Sequence, residues 1–318
     1  MSLGEPFGLV AGIAERTVSL MITVLNLGGT IALTYDDEVP VTLSAAELLG
    51  ESDAEMVDLD PVQSNGLSWA HLLAVRHELL SIVAAGASDA VLITGTDTVE
   101  DVGNFLHLTA PPGLRIALVC SLDTATRGQR APGIEAALTW LRSGADAGLQ
   151  LFVDGNAYSV PFEKYWTGSR WDFAASPDTL PPWRVPTQNQ LDPVMPTVIV
   201  IPAGIGCGQW ASAVIGSVPS AGIVLEAFGS GDIPPDLVPS IESCLRRGVK
   251  VVITSLAPHG RVEPMYPAIV GTSHELLKAG VYSAGTLTAR QARIRLAVEL
   301  ASDASGEVLQ AFERFATT

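Results

Sequence analysis

Apolar runs and helical patterns alternate along this chain. Val18–Leu27 is a mostly apolar run that reads as a strand buried on both faces. Ser68–Ala85 follows with Trp69, Leu72, Leu73, Leu79, Leu80 and Val83 at helical spacing. Asp89–Thr94 reads as the next strand, and Val99, Val102, Phe105 and Leu106 share one helix face. Arg115–Cys120 is a third strand, Ile134, Ala137, Leu138 and Leu141 mark another helix, and Leu149–Val153 is a fourth strand. Strand runs without polar alternation imply a parallel sheet covered by helices on both sides.

Between Ser176 and Pro196 the pattern stops, and Pro177, Pro181, Pro182, Pro186, Pro193 and Pro196 crowd the segment, which reads as an extended linker. Alternation then restarts with strands at Val198–Ile201, Gly222–Leu225 and Lys250–Ile253. Helical patterns lie near Leu237–Arg247, Thr272–Ala279 and Thr288–Ala301, the last opened by a capping box of Thr288 with Gln291. The expected architecture is a larger N-terminal parallel-sheet α/β domain over residues 1–180, a proline-rich linker over 181–196 and a smaller C-terminal α/β domain over 197–318.

Composition narrows the functional classes. At 318 residues with 47% hydrophobic and 16% charged residues, the chain carries enough apolar matter for a large core. A formal net charge of -16 repels phosphate backbones, so nucleic-acid binding is not expected. No stretch of about 18 uninterrupted apolar residues suggests a membrane span, and Glu5, Glu15 and Arg16 spoil a signal-peptide reading of the start. Cys120, Cys207 and Cys244 form neither a disulfide framework nor a metal pattern, which fits the reducing cytoplasm. His71 and His77 share a predicted helix but not the i, i+4 spacing of a zinc helix, and no metal or cofactor is expected.

Two turns hold the candidate chemistry. Asn26-Leu27-Gly28-Gly29-Thr30-Ile31-Ala32 follows the first strand, and Thr94-Gly95-Thr96-Asp97-Thr98-Val99-Glu100 lies between a later strand and its helix. Ligands of open α/β sheets bind at the carboxyl ends of strands, and glycines there let the backbone bend and a substrate approach. Taken alone the first is an ordinary tight turn. The second is a helix start, with Asp97 and Glu100, or Thr98 and Asp101, as a capping box. Two glycine-threonine turns after buried strands of one sheet are a more specific signal than either alone. Neither the G-x-G-x-x-G pattern nor a P-loop is present.

These motifs, LGGTIA from Leu27 and TGTDTVED from Thr94, resemble the TGGTIA and HGTDTMEE of the bacterial asparaginase/glutaminase family. The resemblance extends over nearly the whole chain, through GIVLEAFGSGDIP from Gly222 and LLKAG from Leu276. It implies a hydrolase of small side-chain amides, with Thr30 as nucleophile, Tyr35 as the activating tyrosine, and Thr96, Asp97 and Lys164 as a supporting triad. Lys164 sits at the family's spacing from Asp154 and Phe173. Such a set suits the reaction. A threonine hydroxyl is a weak nucleophile at neutral pH, a lysine amine can take its proton only when its surroundings favour the neutral form, and turn N–H groups can hold the developing oxyanion. Which threonine attacks first is open from sequence. The family further implies a homodimer or homotetramer in which the second domain of one copy closes the site of its neighbour, and the glycine-rich turn after the Gly222 strand would then bring either Glu226 or Asp232 near the substrate's ammonium.

Several positions depart from the family. Its polar pair before the second helix is disturbed in Asp60-Pro61-Val62-Gln63-Ser64-Asn65, leaving Gln63 and Ser64, with Gly29 and Gly95, as candidate substrate contacts. Cys120-Ser121-Leu122-Asp123-Thr124 stands where the family has GAMRP, Arg130-Ala131-Pro132-Gly133 replaces its DGP segment, and the loop after Thr30 is short. Three functions therefore stay in view: an asparaginase, a hydrolase of another small amide, or a binding protein that kept the fold. Glu226 and Asp232 are read as acidic groups without a local partner.

Overall fold

The computed structural model describes residues 21–144, 146–176, 184–186, 190–302 and 309–314. Its first half begins with β1 (Ile22–Gly28), every residue of which is buried; residues 18–20 of the expected first strand lie outside the described residues. A hairpin of β2 (Leu33–Asp36) and β3 (Val39–Thr42), the short helix α1 (Ala45–Leu49) and β4 (Glu55–Val62) come next. Then α2 (Trp69–Ala84), β5 (Asp89–Ile93), α3 (Val99–Thr109), β6 (Arg115–Cys120), α4 (Pro132–Arg142) and β7 (Gly148–Val153) follow the expected alternation. Three more strands, β8 (Asn156–Ser159), β9 (Phe162–Trp166) and β10 (Trp171–Ala175), complete this half.

The large sheet has the order β4-β1-β5-β6-β7-β8 and is parallel except for β8. Its two faces are covered separately. Leu25, Leu92 and Leu118 pack on α2 and α3, whereas Val24, Val91 and Val119 pack on α1 and α4. Successive side chains point to opposite faces, and both faces are covered, so the middle of each central strand is apolar throughout. The order also fixes where chemistry can sit. β1 and β5 are neighbours, so the loops that leave their carboxyl ends emerge side by side.

The second sheet is built from β11 (Val198–Pro202), β12 (Gly222–Ala227), β13 (Lys250–Ser255) and β14 (Tyr282–Ser283), all parallel. One face carries α5 (Gly208–Ser217), α6 (Val238–Arg246) and α7 (Ser273–Lys278). The other face carries α8 (Ala289–Ala301), which opens with the expected Thr288–Gln291 capping box. Buried nearly all round, α8 sends Leu296 and Ala297 to this sheet and Ile294 and Val298 to the core of the first half. Of the proline-rich segment, residues 177–183 and 187–189 lie outside the described residues. In the rest, Val185 is buried and its N–H reaches the Leu108 carbonyl, while the Asp192 N–H reaches that of Ala301.

A buried amide holds the first functional turn in place. Asn26 is fully buried near the end of β1, and its Nδ2 donates to the Leu43 carbonyl (3.1 Å) and to Asp58 Oδ1 (2.7 Å) on β4. Its Oδ1 accepts the Gly28 N–H (2.9 Å), so the side chain folds back on the turn it precedes. Replacing Asn26 with Ala leaves the Leu43 carbonyl and the Gly28 N–H without this partner inside the protein, a loss of about 1–3 kcal/mol for groups left unpaired. We therefore expect Asn26→Ala to lower the urea unfolding midpoint clearly. A midpoint equal to that of the parent would show that the amide does not hold the turn.

Candidate active site

Three loops converge at the carboxyl edge of the large sheet. Gly29 has φ 88, and a Cβ placed on it would lie 2.3 Å from the Gly95 Cα and 2.4 Å from the Gly95 nitrogen. A Cβ on Gly95 would in turn fall 2.6 Å from the Ser64 Cβ. The turns after β1 and β5 thus touch backbone to backbone, with Ser64 of the loop after β4 against them. Only residues without a side chain permit this, and Gly29 also needs the positive φ.

Thr30 stands directly after this contact, half-buried, as the first residue of a single 3₁₀ turn, Thr30–Ala32. Thr96 stands on the other side and is buried. Lys164, on β9, reaches across to both members of the second turn. Its Nζ donates to Thr96 Oγ1 (3.1 Å) and to Asp97 Oδ1 (2.9 Å). The lysine side chain is 11% exposed and the Asp97 side chain 68% exposed, so one partner is dry and the other faces the opening. The Lys164 Nζ also lies 5.0 Å from the centre of the Trp171 ring on β10. The structure brings Thr30, Gly29, Gly95, Ser64, Thr96, Asp97 and Lys164 to one place.

Ser64 has a role that the sequence did not suggest. Its Oγ accepts the N–H groups of Asp97 (3.0 Å) and Thr98 (3.2 Å) and pairs with Thr98 Oγ1 (3.0 Å). These N–H groups lie at the start of α3, where a local side chain usually serves. The local capping box expected there is absent, and Thr98, the residue before the helix, makes no side-chain cap bond. Glu100 instead accepts the backbone N–H of Lys164 (3.4 Å) with one oxygen and bonds Arg290 of α8 with the other (2.9 Å). Burial, the largest influence, raises the Glu100 carboxyl above the usual carboxylate range, and Arg290 partly opposes the rise. Sequence reasoning missed Arg290 because nothing in the pattern of α8 distinguishes it from a solvated helix residue.

Other candidates stand apart. Gln63 precedes Ser64 and is exposed. Tyr35 is 55% exposed on β2, opposite Pro40. Its hairpin is tied to the loop before α4, where Arg127 bonds Asp36 (2.9 Å) and Glu47 (3.2 Å), and the Ala125 N–H bonds the Leu33 carbonyl (2.7 Å). The short loop expected after Thr30 is thus an ordered hairpin. Glu226 sits half-buried near the end of β12, in register with Pro202 and Thr254 of the second sheet. Asp232 is not without a partner as expected, because its Oδ1 accepts the Ser273 N–H (2.9 Å) at the start of α7. Cys120 ends β6, where burial, with help from Asp154, pushes its thiol well up and makes it a poor nucleophile.

Among the described residues, no helix is long and apolar enough to cross a membrane, and no group of three His, Cys, Asp or Glu could hold a metal ion. The exposed carboxylate of Asp97, the Lys164 amine bonded to it and to Thr96, and the half-buried Thr30 place a carboxylate, an amine and two hydroxyls at one edge of the sheet.

Residues 21–156 match the family model described as asparaginase, N-terminal, and residues 198–312 match that of the glutaminase/asparaginase C-terminal domain. An L-asparaginase of Bacillus licheniformis is 27% identical, with 90% of this chain and 97% of that protein covered. A glutamyl-tRNA(Gln) amidotransferase subunit of Pyrococcus furiosus is 25% identical, with 86% of this chain and 70% of that protein covered. The crystal structure of a probable cytoplasmic L-asparaginase from Campylobacter jejuni has the same fold, with a TM-score of 0.70 at 20% identity, covering 90% of this chain and 96% of that one. With both domain models matched in order and the paired threonine turns in contact, this chain belongs to the asparaginase/glutaminase family.

Proposed function

We propose that the chain is an L-asparaginase that converts L-asparagine and water to L-aspartate and ammonia through an acyl-enzyme on Thr30. The observation that carries this reading is the Lys164 amine bonded to both Thr96 and Asp97, beside the turn that presents Thr30. In the first half-reaction the Thr30 oxygen attacks the side-chain amide carbon and gives up its proton. The C–N bond then breaks, ammonia leaves with that proton, and an ester remains on Thr30. In the second, water attacks the ester, Thr96 and Lys164 pass its proton to the Thr30 oxygen, and the C–O bond to Thr30 breaks to restore the hydroxyl.

Each half needs an oxyanion donor. The Gly29 N–H is already given to the Val62 carbonyl (2.8 Å), so the donor must be another N–H of these turns. Asp97 keeps an oxygen beyond Lys164 for the ammonium of an amino-acid substrate. Gly29, Gly95 and Ser64 shape the floor, and Gln63 lies at the rim. Tyr35, on the hairpin after Thr30, is the proposed activating tyrosine. The proposed setting is the cytoplasm and the proposed assembly a homodimer or homotetramer, with Glu226 of a neighbouring copy near the ammonium.

A second reading, hydrolysis of a different small amide, is favoured by Ser64. Its hydroxyl is committed to the start of α3, which alters the polar pair expected to grip the substrate. Ammonia release measured over asparagine, glutamine and plain amides separates the two. Silence on every amide would leave only a binding protein.

Three outcomes test the first reading. Thr30→Ala should remove nearly all turnover, and Thr96→Ala should cost on the order of 10²-fold or more. Wild-type turnover by Thr30→Ala sinks the assignment. Lys164→Met should fold normally, lose most activity and gain none back at higher pH, whereas parental activity would make Lys164 a bystander. Sedimentation at micromolar concentration should give a dimer or tetramer, and a fully active monomer would remove Glu226 from the site.

A further inference from the structure

We infer that Arg290 is a positioning residue for the Thr96–Asp97–Lys164 triad, acting from the second half of the chain. This inference rests on the reading of that triad as the reactive centre. Arg290 is the second residue of α8, whose start is set by the Thr288–Gln291 capping box. Its guanidinium forms four hydrogen bonds to the start of α3 and the turn that leads into it. Nη2 donates to the Asp97 carbonyl (3.2 Å), Nη1 to Glu100 Oε2 (2.9 Å), and Nε and Nη2 to the two oxygens of Asp101 (3.2 and 3.0 Å).

These bonds close a ring around the triad. The far oxygen of Glu100 accepts the backbone N–H of Lys164, and the Lys164 amine holds the Asp97 side chain and Thr96. Arg290 therefore fixes the Asp97 backbone directly and the Lys164 backbone through Glu100. A cation is otherwise poorly placed here, since it sits at the N-terminal ends of both α3 and α8, where helix dipoles favour negative charge. Glu100 and Asp101 offset that cost.

A purely stabilising role fits less well. The Arg290 side chain is half exposed, so solvent screens its ion pairs and leaves the bidentate Asp101 contact as their main contribution to stability. The two helices are held without it, by the Asn104 Nδ2 bond to the Gln291 carbonyl (3.0 Å) and by Ile294 and Val298 in the first core. What the fork supplies is geometry, which a lysine's single point of charge cannot reproduce.

The test compares the full-length parent with Arg290→Met and Arg290→Lys, measuring ammonia release together with thermal unfolding. Misplacing a reacting group by about 1 Å can cost up to 10²-fold. Arg290→Met should therefore lower kcat by about tenfold or more, with KM within about threefold and the unfolding temperature nearly unchanged. Arg290→Lys should recover only a small part of kcat. Parental kcat in Arg290→Met overturns the inference while leaving the site intact. A lost rate that tracks lost folded protein also overturns it. A parent chain that releases no ammonia from any amide sinks the reading of the site, and this inference with it.

Discussion

Where the two threonine turns meet, two pieces of backbone come together with no room for a side chain between them. Gly29 and Gly95 leave no space for a Cβ between them, and that contact sets how far Thr30 stands from Thr96. Neither strand order nor core packing alone gives this separation. Neighbouring strands lie roughly 4.8 Å apart, so loops that leave them normally diverge as side chains fill the gap. Removing both side chains lets the loops meet instead. Asn26, Ser64 and Arg290 then secure the two turns from different sides, by an amide, a hydroxyl and a guanidinium.

The supports come from separate parts of the chain. Asn26 belongs to β1, Ser64 to the loop after β4, Lys164 to a strand outside the large sheet, and Arg290 to a helix of the other half. The region is therefore a property of the whole fold rather than of any short motif. Burial is graded across it, from Thr96 and Lys164 inside to Asp97 at the mouth. A dry lysine–threonine bond is electrostatically stronger than a wet one, and a carboxylate at the mouth keeps contact with solvent.

Strong periodicity made the central architecture legible. The strands buried along most of their length, β1, β5, β6, β12 and β13, matched expectation to within a few residues wherever the described residues test it, because continuous apolar runs admit few other placements. The edge elements escaped notice. β4 alternates exposed and half-buried positions and contains Pro61, and the β2–β3 hairpin is mostly exposed, so neither gives a continuous apolar signal. At the site, Thr30 and Thr96 were legible because two glycine-threonine turns followed buried strands, and Lys164 only through family spacing. Ser64 was read as a substrate contact, yet its hydroxyl serves the start of α3. Arg290 and the partner of Asp232 depend on contacts across 190 and 41 positions of chain, and no local pattern encodes them.

The placement of α8 has a consequence for how the molecule comes apart. One side of this helix fills the second sheet's core through Leu296 and Ala297, and another fills the first core through Ile294 and Val298. Withdrawing α8 would wet both cores at once, exposing Phe105 and Leu106 in one half and Val224 and Val252 in the other. The two sheets are thus not modules that a gene fusion or truncation could exchange freely. A fragment ending before residue 197 would carry every residue of the triad and still lack part of its own interior, so the chain should melt as one cooperative unit.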